Sequence, residues 1–190
     1  MIEDASLVAE VSRIVEAACK ADSNIFGYGI WTHHIVEVVH NGRQLAPMFS
    51  ADAEIVELAA LLHDYASVKD EALYEEHHIH GPIEAEKILQ NLGYPQSRIE
   101  AVKHAISAHR GSVEIEGRSQ EASCLRNADA MAHIHNVPSL LKLAYVEHQM
   151  DITAGAHWVQ AKLERSWKKL DPEVRELVVD QYEAAKKLLL

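Results

Sequence analysis

Leu58-Ala59-Ala60-Leu61-Leu62-His63-Asp64-Tyr65-Ala66-Ser67 passes without interruption from an aliphatic run into a histidine and a carboxylate. The aliphatic part continues a helical pattern begun by Ile55 and Val56, and burying such a helix takes Asp64 out of water. A carboxylate removed from water must be protonated, paired with a cation or bound to a metal. The residue ahead of it, His63, is itself a common metal ligand. Adjacent residues within a helix point about 100° apart. The pair therefore reaches one ion only where the helix ends, and Tyr65-Ala66-Ser67 supplies that exit. Taken alone, the dipeptide is better explained by capping or surface residues.

Outward from this stretch, apolar residues keep helical spacing. Leu7, Val8, Val11, Ile14, Val15 and Ala18 form one stripe, and Ile35, Val38, Val39 and Gly42 form the next. No strand-like alternation competes with them. Ser50 is placed to cap the helix that ends at His63. A polar stretch over 65–80 follows, with Pro82 in the first turn of a fourth helix that Gly93 stops. Pro95 opens a fifth helix bearing Ile99, Val102, Ala105 and Ile106. Ser119 caps a sixth with Leu125, Ala128 and Met131, and Pro138 and Asp171-Pro172 divide the remainder into two or three helices. The expected architecture is all-α, a single domain over 1–190 with neither repeat nor linker.

The composition agrees with a globular chain: 190 residues, 48% apolar and 25% charged. Its longest aliphatic run, 58–62, is far below the ~20 residues of a membrane span. Glu3, Asp4, Glu10, Arg13 and Glu16 near the N-terminus are wrong for a secretory signal, so a cytoplasmic protein is expected. Cys19 and Cys124 are too few for a disulfide framework or a zinc knuckle and read as small buried residues. With 18 basic and 29 acidic residues the net charge is −11, which argues against broad contact with a nucleic-acid backbone. A phosphorylated substrate would need a local cation. The 13 histidines are the unusual item.

Asp129, within Leu125-Arg126-Asn127-Ala128-Asp129-Ala130-Met131, repeats the problem of Asp64, with a salt bridge to Arg126 as the plain alternative. His34 stands at the start of an apolar helix in Trp31-Thr32-His33-His34-Ile35-Val36-Glu37-Val38-Val39, where a core histidine is the plain alternative. Their order carries more than each alone. A histidine, a His-Asp pair closing an apolar helix and a distant aspartate, on three helices over about 31–133, resemble the HD-domain superfamily of metal-dependent phosphohydrolases.

The resemblance implies an HD-type helical core with the helices after about residue 138 packed on it. It implies that His34, His63, Asp64 and Asp129 hold one divalent ion, with Asp64 bridging toward a second. His34 is preferred to His33 because its offset to Val38 and Val39 matches the family's first helix. Candidates for the second ion are His77, His80, His104 and His109, one of the last two being free to bind substrate phosphate. Mixed imidazole and carboxylate ligation suits Mn, Fe, Co, Ni or Zn. An ion so held, with His63 and Asp64 at the catalytic centre, activates water for attack on a small phosphoester such as a nucleotide. Arg110 is the first choice for the phosphate-binding cation, ahead of Lys69, Lys103 and Arg126. The same residues would also serve a di-iron oxygenase of this type, or a binding or regulatory module without turnover. The remaining histidines, His133 among them, read as surface or core residues. Trp158 and Trp167 read as core packing in C-terminal helices that cover the pocket or build a homodimer.

Overall fold

The computed structural model describes residues 6–74, 76–109 and 118–189, which form ten α-helices and no strand. Helix α1 (Leu7–Cys19) is capped by the Ser6 hydroxyl and lays Val11, Val15 and Cys19 inward. A π-helical turn (Trp31–Ile35) leads into α2 (Val36–Phe49). Helix α3 (Ala53–Leu62) is buried almost all round, through Ile55, Val56 and every residue of 58–62. A helix apolar on every side belongs in a core, and α3 touches α1, α2, α6 and α7.

The N-cap of α3 is Asp52, whose carboxylate accepts from the Glu54 and Ile55 amides. Ser50, expected to cap α3, instead ends α2 in the left-handed region at φ 51°, its amide bonded to Pro47. Ala51, the one residue between them, makes the turn, its amide bonded back to the Ala46 carbonyl at 2.9 Å. Nor is 65–80 irregular: α4 (Tyr65–Lys69), a 3-10 turn (Glu71–Leu73) and the first turn of α5 (His77–Asn91) occupy it. Helix α5 starts five residues before Pro82, because the Ile79 and His80 amides already bond Glu76. Gly81 permits the close approach of α5, since a Cβ there would stand 3.1 Å from Ile106 and 3.2 Å from the His63 carbonyl.

Helices α5 and α6 (Gln96–Ala108) form an antiparallel pair. Helix α7 (Gln120–His135), capped by Ser119, packs on α2, α3 and α6 and on the C-terminal helices. These are α8 (Val137–Lys142), a second π-helical turn (Leu143–Glu147), α9 (Ile152–Lys169) and α10 (Pro172–Leu189). Val159, Leu163, Leu170, Val174 and Val178 join the same buried cluster as α1 to α7. Polar contacts fix the junction: the Asp171 amide donates to Asn127 Oδ1 at 2.8 Å, and Asn127 Nδ2 donates to Asp171 Oδ2 at 2.9 Å. Trp167 stacks on Tyr182 with ring centres 4.3 Å apart. These contacts hold α9 beside α7, where both border one cavity. Among the described residues no helix is long and apolar enough to cross a membrane.

Candidate metal centre

Three helix ends and two helix interiors converge beneath that cavity. The π-helical turn carries His34; its widened spacing is of a kind that recurs at functional sites. His33, next to it, is exposed and meets Thr32 Oγ1 at 2.6 Å. The C-terminal end of α3 presents His63 and then Asp64, the chain leaving the helix at that point. Asp129 lies in mid-α7, His77 opens α5, and His109 follows α6.

His34 Nε2 stands 3.1 Å from His63 Nε2, 3.2 Å from Asp64 Oδ2 and 3.7 Å from Asp129 Oδ1. His63 Nε2 is 3.3 Å from the same Asp64 oxygen. The other Asp64 oxygen faces His77 Nε2 at 3.9 Å, and the ligating atoms of Asp64, His77 and His109 lie within 4.8 Å of one another. Asp64 thus has one oxygen toward each group.

The backbone decides which ring nitrogens carry hydrogen. His63 Nδ1 lies 2.8 Å from the Ala60 carbonyl, and His77 Nδ1 lies 2.7 Å from that of Tyr74. His109 Nδ1 meets the Ile106 carbonyl in the same way. A carbonyl only accepts, so each Nδ1 donates and each neutral ring keeps its lone pair on Nε2. The same three-residue step back, from His63, His77 and His109 alike, orients three imidazoles. The lone pair of His63 then points at a second imidazole nitrogen and a carboxylate oxygen. Without a positive charge between them this is repulsive; with a divalent cation it is ordinary mixed ligation, and the Nδ1 bonds are its usual outer support. The residues fit a metal.

Charges in the site respond accordingly. Burial of the His63 ring opposes protonation, but Asp64 and then Asp129 outweigh it and hold the imidazole up to about 9. A proton there meets part of the demand a metal would meet. Burial likewise disfavours the charge on Asp64, yet His63 and His34 keep it well below the usual carboxylate range. Asp129 is also kept low against burial, chiefly by Lys169, whose Nζ is 3.2 Å from Asp129 Oδ2. Burial, with the positive charge of His63, pushes His109 down to about 3, so its ring stays neutral.

Several expected partners lie elsewhere. His80, a turn beyond His77 along α5, does not border the cavity and is drawn instead to Glu76, one turn back, at 3.6 Å. His104 Nε2 accepts the Ser119 amide at 3.4 Å, at the entrance of α7. Neither belongs to a ligand group among the described residues. Arg126 pairs with Asp171 and not with Asp129, since the α9–α10 junction brings that carboxylate closer. Lys69 is held by Glu84 at 2.7 Å, and Lys103 by Glu86 and Glu100 at 3.0 Å each. Arg110 lies outside the described residues.

Two features were not read from the sequence. His133 joins His34 and Asp129 in a third ligand group: its Nδ1 is 3.7 Å from Asp129 and 3.2 Å from Ser166 Oγ, and its ring stacks on His34. Its position four residues after Asp129, on the same helical face, was the available signal. The second is α9, which lines the cavity of about 600 Å³ with Lys162, Arg165, Ser166 and Lys169, while Phe26 and Ile30 supply an apolar side. Burial pushes the Lys162 ammonium down from its ordinary value. No sequence motif announced those basic residues.

A family model described as HD domain matches residues 31–134. Among solved structures, the chain is similar to Bacillus subtilis YpgQ in complex with ADP. The TM-score is 0.65 at 19% identity, over 93% of this chain and 90% of that one. None of the curated proteins matches.

Proposed function

Because the chain belongs to the HD-domain family, and because imidazole lone pairs and carboxylates converge under an open cavity, we propose that it is a metal-dependent phosphohydrolase acting on a small phosphoester such as a nucleotide. The observation that carries the proposal is the unsatisfied meeting of His34 Nε2, His63 Nε2 and Asp64 Oδ2 within 3.1–3.3 Å beside Asp129. His34, His63, Asp64 and Asp129 hold one ion, and Asp64 with His77 and His109 offers a place for a second. A divalent ion held there supplies an activated water and offsets charge on phosphoryl oxygens. The Ala60 carbonyl fixes the His63 tautomer, Asp64 and Asp129 remain ionised, and the Phe26 and Ile30 side of the cavity receives the apolar part of the ligand. The complex of the similarly folded Bacillus subtilis protein with ADP supports a nucleotide as the substrate class.

A metal-resolved screen tests this reading: protein loaded with Mn, Fe, Co, Ni or Zn is assayed for phosphate release over nucleotides and simple phosphomonoesters. Hydrolysis that disappears in Asp64→Ala together with bound metal is expected. Full metal occupancy with no turnover across the panel would instead mark a binding or regulatory module.

The Asp64–His77–His109 group favours one further reading. Two irons so placed would suit a di-iron oxygenase, recognised by oxygen uptake without phosphate release.

A further inference from the structure

Helix α9 lies outside residues 31–134, yet it forms the cationic wall of the cavity. Lys162, Arg165 and Lys169 fall at helical steps of three and four and so share one face. Lys168 also borders the cavity but lies about 100° around the helix from Lys169.

Arg126 and Lys142 are already neutralised at the cavity, by Asp171 and Glu147, whereas Lys169 has as its partner only Asp129, a carboxylate that the ion site also claims. Among the described residues Lys162 and Arg165 have neither an ion-pair nor a hydrogen-bond partner, although Asp129 and Asp64 act on Lys162 through space. In a chain of net charge −11 two cations without a partner on one cavity wall are conspicuous, and for the Lys162 ammonium, which burial disfavours, the lack of a counter-charge is unfavourable.

The balance of charge indicates what would complete them. One divalent ion is offset by Asp64 and Asp129, which leaves the three cations of α9 facing the ligand. A phosphate monoester brings two negative charges and leaves that wall short of one. An ester with two linked phosphoryl groups brings three. We propose that Lys162 and Arg165 bind a phosphoryl group other than the one attacked, so that the site selects substrates with two or more linked phosphoryl groups over monoesters. This rests on the phosphohydrolase reading and assigns specificity to a helix beyond the matched region.

The test uses full-length, manganese-loaded protein and two ligands measured by calorimetry: a nucleoside diphosphate analogue with a methylene bridge between its phosphorus atoms, which resists cleavage, and the corresponding nucleoside monophosphate. Wild type should bind the diphosphate analogue more tightly. Lys162→Met with Arg165→Met should weaken that ligand by about ten- to a hundred-fold, as expected for lost charge-assisted hydrogen bonds. The monophosphate should change by less than about threefold. Equal weakening of both ligands, or of neither, overturns the proposal. Arg165 is exposed, so Arg165→Met alone serves as the deciding variant if the double variant fails to fold or to retain manganese. Failure of the two readings is separable: a preserved diphosphate preference without any turnover defeats hydrolysis alone, whereas turnover without the preference defeats the role of α9 alone.

Discussion

Replacing Asp64 by asparagine keeps the shape of the side chain and removes its charge, which makes it a sharp probe of the metal centre. The structure supplies a scale for the loss. The buried His63 ring is held up to about 9 against an ordinary value of 6.5. That is a net gain of about 3 kcal/mol for a single proton, what remains of the attraction of Asp64 at 3.3 Å and, after it, Asp129 once burial has opposed it. A carboxylate about 4 Å from a unit cation in a protein site contributes about 4 kcal/mol, which sets the scale for Asp64 beside the ion. The asparagine carbonyl oxygen recovers about 1 kcal/mol. The net loss of about 3 kcal/mol corresponds to a roughly hundredfold rise in Kd for manganese. Titration calorimetry on wild type and Asp64→Asn, with circular dichroism to verify the fold, measures it. An affinity within about threefold of wild type would refute the placement of Asp64 at the ion.

Other consequences are independent of that number. Metal needs the lone pair that a proton occupies on His63 near neutral pH, so uptake should release about one proton per ion. Affinity should accordingly rise with pH until about 9 and then level off; calorimetry in buffers of different ionisation enthalpy would contradict this by finding no release. His109, pushed down to about 3, contributes no proton but completes the second ligand group. His109→Ala should lower the metal content of two-ion preparations toward one per chain while sparing the first site, as read by elemental analysis. Asn127→Ala removes both bonds to Asp171 and should cost about 1–3 kcal/mol in urea unfolding; unchanged stability would show that the α7–α9 junction does not depend on them.

Much of this was legible in the residues because burial and chemistry coincide. The aliphatic run 58–62 identifies a core helix, and a core helix that ends in His63-Asp64 must place both side chains at its tip. Capping at Ser119 was read correctly for the same local reason, a side chain reaching its own third amide. Ser50 misled because serine caps N-termini and also tolerates the turn after a helix, and Asp52, two residues on, does the capping. His80 and His104 were indistinguishable from His77 and His109 in a list of spacings. Only the packing of α5 against α6 turns one of each pair inward. Lys162, Arg165 and Lys169 look like any solvated helix face until the Asn127–Asp171 junction swings α9 over the cavity. Long-range placement of that kind is not encoded in a local pattern.

The proposed function stands or falls with one cation shared by His34, His63, Asp64 and Asp129. Anomalous diffraction from crystals grown with manganese, recorded above and below the absorption edge, addresses it without relying on any substrate. A manganese peak is expected at ligand distance from His34 Nε2, His63 Nε2, Asp64 Oδ2 and an Asp129 oxygen. A peak confined to other residues, or none there in protein shown to contain stoichiometric manganese, would contradict it.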